Sequence, residues 1–226
     1  MVRLEQRKRT SFLMCAALVR VDARFHSDPL ASRVALRVSR KWYDNRDNQH
    51  SSPPCRKAGV MTRYVIRTVD NRYGTSDGYT SPQTPESIAE EMRTCLTAPR
   101  YLDGFQRFCI VVWPLPDGVS DPTNMPRRSQ GLTDYIQCGG STRTMSVEIR
   151  VSGEDGSHQH WVVAREPVAD PEAWTTITWD NGGPEPFSLR LHPEEVFTGE
   201  QAAPVFRAYI EDGALPPAQL LRRLDV

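Results

Sequence analysis

The stretch that most restricts the fold is 145–163, MSVEIRVSGEDGSHQHWVV. Met145, Val147, Ile149 and Val151 alternate with Ser146, Glu148 and Arg150. A period of two marks a strand with one apolar face. The glycine-bracketed turn and the second apolar run send the chain back antiparallel. A two-residue loop at Glu154-Asp155 would set Trp161 opposite Glu148. One further residue, as in a glycine bulge at Gly156, sets Trp161 opposite Ile149 and His160 opposite Arg150. Register follows the apolar face, so the bulged hairpin is expected.

The same stretch raises a metal question. Gly153, His158, His160 and Glu166 resemble the glycine, H-x-H and glutamate order of a cupin metal site. Along a strand, six residues at about 3.3 Å each carry Glu166 roughly 20 Å from His160. Metal–ligand bonds are only about 2 Å long. His192 is a conceivable third ligand, but Pro193 follows it and no second motif surrounds it. No metal or other cofactor is therefore expected. The GGST of 139–142 lacks the spacing and the lysine of a phosphate loop. There is no zinc-deaminase signature and no G-x-S-x-G elbow. Cys95, Cys109 and Cys138 are not in ligand pairs and read as buried thiols of a reducing compartment, so a cytoplasmic protein is expected. No motif supports turnover, so the chain is expected not to be an enzyme. A small enzyme using His158, His160 or Glu148 is the catalytic alternative.

Charge divides the chain. Residues 1–60 hold 13 Lys and Arg against 5 Asp and Glu, or +8; residues 61–226 hold 15 against 23, or −8. All three lysines, Lys8, Lys41 and Lys57, precede residue 61. A boundary is expected at about residue 60. The first segment, with one apolar run at 11–19 and a polar stretch at 43–57, is expected to be a disordered basic extension. That apolar run is too short to span a bilayer. The account that fits this segment better is that Met61 is the natural start: codons for the RKAG of RKAGVM (56–61) can be purine-rich, like a ribosome-binding site before a start codon. A genuine basic arm, implying nucleic acid or an acidic partner, is the alternative. The second segment is expected to be one α+β domain: a mainly antiparallel sheet with two helices on one face.

Its elements follow from local signals. TRYVIRTV (62–69) reads as a first strand. In TPESIAEEMRTCL, Thr84 is an N-cap and Pro85 a first helical residue, with Ile88, Met92, Cys95 and Leu96 on one stripe. FQRFCIVVW (105–113) is apolar at both parities and reads as a central strand buried on both faces. The four-proline loop after it is expected to be exposed. Tyr135 and Ile136 begin another strand. PEAWTTITWDN (171–181) and FSLRL (187–191) are strands flanking a turn. Thr198 and Gln201 form a capping box, and Gly213 stops the helix that follows. Pro204 marks a kink or a later first turn. LLRRLDV closes the chain as an edge strand.

The run EEVFTGEQAAPVFRAYIEDGALPPAQLLRRLDV (194–226) resembles the tail of actinobacterial immunity proteins of polymorphic toxin systems, of the type paired with deaminase toxins. The resemblance covers 62–226 and also rests on the early helix after T-P-E, the central strands and the late helix ending at glycine. It implies tight binding to a cognate toxin, with no turnover. Toxins that act on nucleic acid are commonly basic, and an acidic body would steer such a toxin in. Nucleic acid itself and membrane are not expected partners. A generic interaction domain without a toxin is the third alternative. Tryptophan is enriched at interface hot spots. Trp174 and Trp179 differ in parity, so one is expected to point outward. With Asp180, Glu194 and Glu195 on the neighbouring turns, they form the expected partner-binding set.

Overall fold

The computed structural model describes residues 63–224 apart from 72–73, 79, 117–118, 120–133, 154–156, 181 and 183. The expected extension 1–60, the alternative start at Met61 and most of the proline-rich loop lie outside the described residues.

Seven strands form one antiparallel sheet. In chain order they are β1 (Tyr64–Asp70), β2 (Gly74–Gly78), β3 (Arg107–Pro114), β4 (Tyr135–Ser141), β5 (Thr144–Ser152), β6 (His158–Val163) and β9 (Leu221–Leu224). Their spatial order is β2-β1-β3-β4-β5-β6-β9. Each strand pairs with its neighbour antiparallel. The closing LRRL segment is thus an edge strand, paired to β6. Two further strands, β7 (Thr175–Trp179) and β8 (Phe187–Leu191), make a separate hairpin. Helices α1 (Pro85–Thr97) and α2 (Gly199–Asp212) complete the α+β fold.

The layers follow from side-chain parity. Tyr64, Ile66, Ile110, Val112, Ile136, Cys138, Val147 and Ile149 point to the helices. They meet Ile88, Met92 and Leu96 of α1 and Ala202, Phe206 and Ile210 of α2. The other face carries Val65, Val69, Cys109, Val111, Trp113, Tyr135 and Val162, and packs on Ile177, Trp179, Phe187, Leu189 and Leu191 of the β7–β8 hairpin. The sheet is therefore covered on both sides. β3 reads apolar at both parities because it contributes to both cores. The register shift between Val69 and Asp70 is a bulge, which lets the consecutive Phe108 and Cys109 both serve the hairpin side.

Local signals set the helix ends. Thr84 Oγ1 accepts from Ser87 N, and Pro85 opens α1. Thr198 and Gln201 cap α2 reciprocally, and Gly213 ends it at φ 64°. Pro204 lies within α2 and does not delay its start. Pro204 and Glu200 both face solvent, so water can satisfy the Glu200 carbonyl that proline leaves without a donor. At Gly199 the helices touch: a Cβ there would collide with the Leu96 carbonyl of α1.

Candidate functional site

Two polar clusters stand out. The first lies on the sheet face toward the hairpin. β5 and β6 pair as Ile149↔Trp161 and Arg150↔His160, the register of the bulged hairpin. Glu148, Arg150 and His160 thus share the polar face. That face is not solvated: all three are buried, with His160 3% exposed. Glu148 accepts from Gln137 Nε2 at 2.8 Å and from Ser146 Oγ at 3.1 Å. His160 Nε2 stands 3.1 Å from a Glu148 oxygen, ion-pair distance, although its N–H is not aligned for a good hydrogen bond. Burial pushes the Glu148 carboxyl up. The His160 contact and the Gln137 and Ser146 donors outweigh it and hold the group below the ordinary carboxylate range. The Arg150 guanidinium and the His160 ring both lie against Tyr135. The Trp179 ring closes the cluster's end over Gly139, where a Cβ would come within 3.2 Å of it. His158 is exposed, 3.2 Å from Ser152 Oγ. The structure therefore joins Glu148 to His160 and leaves His158 outside.

The second cluster sits at the open end of the β7–β8 hairpin. Thr175 pairs with Leu191, which sets Trp174 beside His192. Their rings stack at 3.8 Å. His192 Nδ1 is 2.8 Å from the Ala173 carbonyl, which can only accept, so Nδ1 carries the proton. Glu195, at 0% exposure, ends the short 3₁₀ turn Pro193–Glu195. It accepts from the His192 amide at 2.9 Å and takes the Arg222 fork at 2.6 and 2.8 Å. A buried carboxylate needs such pairing. Arg165 donates to the Pro193 and Val196 carbonyls and fixes the same turn. Over the Trp174 ring lie the guanidiniums of Arg190, at 4.7 Å, and Arg222, at 5.4 Å. Trp174 still keeps 36% of its surface exposed.

The expected binding set is thereby divided. Trp174, Glu194 and Glu195 gather at the open end of the hairpin. Trp179 and Asp180 lie at the turn end, one strand of five residues away, or about 16 Å. Trp179 is 9% exposed and belongs to the hairpin core, so it is not a surface residue. Glu195 is buried and paired, so it is not one either. Asp180 is half-buried and accepts from Gly182 N at 2.7 Å. Glu194 is half-buried and accepts from Ala169 N at 3.3 Å. Sequence reasoning missed Arg190, Arg222 and the structural use of His192. Alternation along FSLRL signals that Arg190 points outward. The partners of Arg222 are remote in sequence and carry no such signal.

Among the described residues, no three His, Cys, Asp or Glu side chains gather as metal ligands, and no helix is long and apolar enough to cross a membrane. A groove of about 360 Å³ runs beside α2, lined by Val163, Phe197, Val205, Pro216 and Leu220. Two polar groups at its rim are engaged elsewhere: Arg165 with carbonyls and Gln201 in the helix cap. No family model matches this chain, and neither a curated protein nor a solved structure does.

Proposed function

We propose that the 61–226 unit works by binding another protein, as an immunity or inhibitor protein that neutralises a basic toxin. One observation carries this reading: Trp174 is exposed yet packed on three of the protein's own side chains. His192, Arg190 and Arg222 fix its ring, and buried Glu195 fixes Arg222. An anchor ordered before contact loses little entropy on binding, and Trp with Arg is the composition of interface hot spots. The turn leading into Trp174 exposes Asp170 and Glu172, and Glu194 flanks it. These acids supply a rim that suits a basic partner. The resemblance of 194–226 to toxin-associated immunity proteins supports the same reading.

The test is affinity capture with the full chain as bait, beside its Trp174→Ala variant. A basic protein is expected to be retained by the wild type and lost by the variant. It should arrest growth when expressed alone and fail to do so beside the wild-type chain. Equal recovery on both baits would remove Trp174 from the contact. A second reading is acid–base chemistry at Glu148 and His160, and their 3.1 Å separation favours it. The burial of both groups sets it behind the binding reading.

A further inference from the structure

The binding reading leaves open what the partner places on Trp174. We infer that the Trp174 indole and the Arg190 guanidinium form one seat, and that it takes an acidic segment of the partner: a carboxylate beside an apolar side chain. This rests on the binding reading and adds the chemistry of the contact.

Arg222 is committed to Glu195 through a two-bond fork. Arg165 is committed to two backbone carbonyls. Arg190 differs. It is exposed on the outer face of β8 opposite Thr176, and among the described residues no carboxylate pairs with it. Its guanidinium carbon lies 4.7 Å from the centre of the Trp174 indole. The contact holds the guanidinium beside the ring, and among the described residues no acceptor takes its N–H groups. A guanidinium edge matches a carboxylate in two parallel bonds. The indole edge beside it supplies apolar surface. Trp174, Arg190, Thr176 and Ser188 are all exposed on this side of the hairpin.

The ring's surroundings select among anions. A nucleobase binds an aromatic residue by stacking on an open face. Here an imidazole sits at 3.8 Å and two guanidiniums lie within 5.4 Å of the ring centre. These groups compete with a base for the ring. What remains is an edge and a donor fork, which suit a carboxylate better than a base. The acidic rim at Asp170, Glu172 and Glu194 does not oppose this. Rim charges steer the partner as a whole, and the central fork reads one group on it.

The experiment follows the Trp174 indole N–H and the Arg190 Nε–H by NMR in the full chain, assigned with Trp174→Phe and Arg190→Lys variants. The probes are blocked tetraglutamate, blocked tetraarginine and a short oligothymidylate. Tetraglutamate is expected to move both signals saturably. Arg190→Ala should weaken that binding roughly tenfold or more, and Arg190→Lys should restore part of it. Absence of a tetraglutamate shift overturns the inference, as does stronger binding of oligothymidylate at the same signals. Tetraarginine as the better ligand overturns it too. With the captured partner, loss of binding in Trp174→Ala but not in Arg190→Glu removes this inference and leaves the binding reading standing. Loss in both supports the inference.

Discussion

Glu148 shows what a single buried charge does to stability. Its carboxyl is held below its ordinary range, so the unfolded chain binds the proton more readily than the folded one. Stability from this group is complete above the unfolded carboxylate pKa, about 4.3. It is lost as pH falls through the depressed folded value. Glu148→Gln should therefore flatten the acid arm: urea midpoints of wild type and variant should converge on going from about pH 7 to about pH 3. A constant gap between them would refute the assignment. The two tryptophans give a second contrast. Trp179 is core, and Trp179→Ala should cost about 3–5 kcal/mol in denaturant unfolding. Trp174 keeps about a third of its surface in solvent, so Trp174→Ala should cost at most about 1 kcal/mol of stability but about 2 kcal/mol or more of partner affinity. Similar stability losses in both variants would mean Trp174 is structural.

At the scale of elements, Gly199 is the tightest point. Its backbone lies on the Leu96 carbonyl, so any side chain must push α2 off α1. Gly199→Ala should destabilise by about 1–3 kcal/mol, although alanine is the better helix former. Thermal melts of the purified variant would show it, and an unchanged melt would mean the helices can part at no cost. Both helices were legible in the sequence, because caps and stripes are local: Thr84-Pro85 and Thr198–Gln201 mark starts whatever surrounds them. The β5–β6 register was legible too, because slipping by one residue would have moved Trp161 from Ile149 to Glu148. Coverage of the second face was not. In the sequence Ser146, Glu148, Arg150 and His160 are a polar face, and only their mutual contacts make them compatible with a lid of β7 and β8. The candidate site was half legible for the same reason. Alternation shows that Trp174 and Trp179 face opposite ways, but not which one is outside. Glu195 looks like a turn acid until Arg222, 27 residues later, is brought against it.

For the whole molecule, the zero net charge conceals opposite halves, +8 before residue 61 and −8 after it. Opposed charge on one chain bears on how a partner arrives. If charge on both segments acts on encounter with a basic protein, with the acidic one attracting it, the partner's association rate should fall as salt rises. The steepest change should come where the screening length drops through about 10 Å, near 0.1 M. Dissociation, set by short contacts such as those of Trp174, should change far less. A chain beginning at Met61 should then associate faster than the full chain, since the +8 segment no longer repels the partner. Stopped-flow association of the captured partner with both chains, at low and high salt, tests these expectations together. Equal rates for the two chains would show that the basic segment stays outside the approach path. A rate that ignores salt altogether would show that charge does not steer this encounter, leaving recognition to the rigid indole and its neighbouring guanidinium.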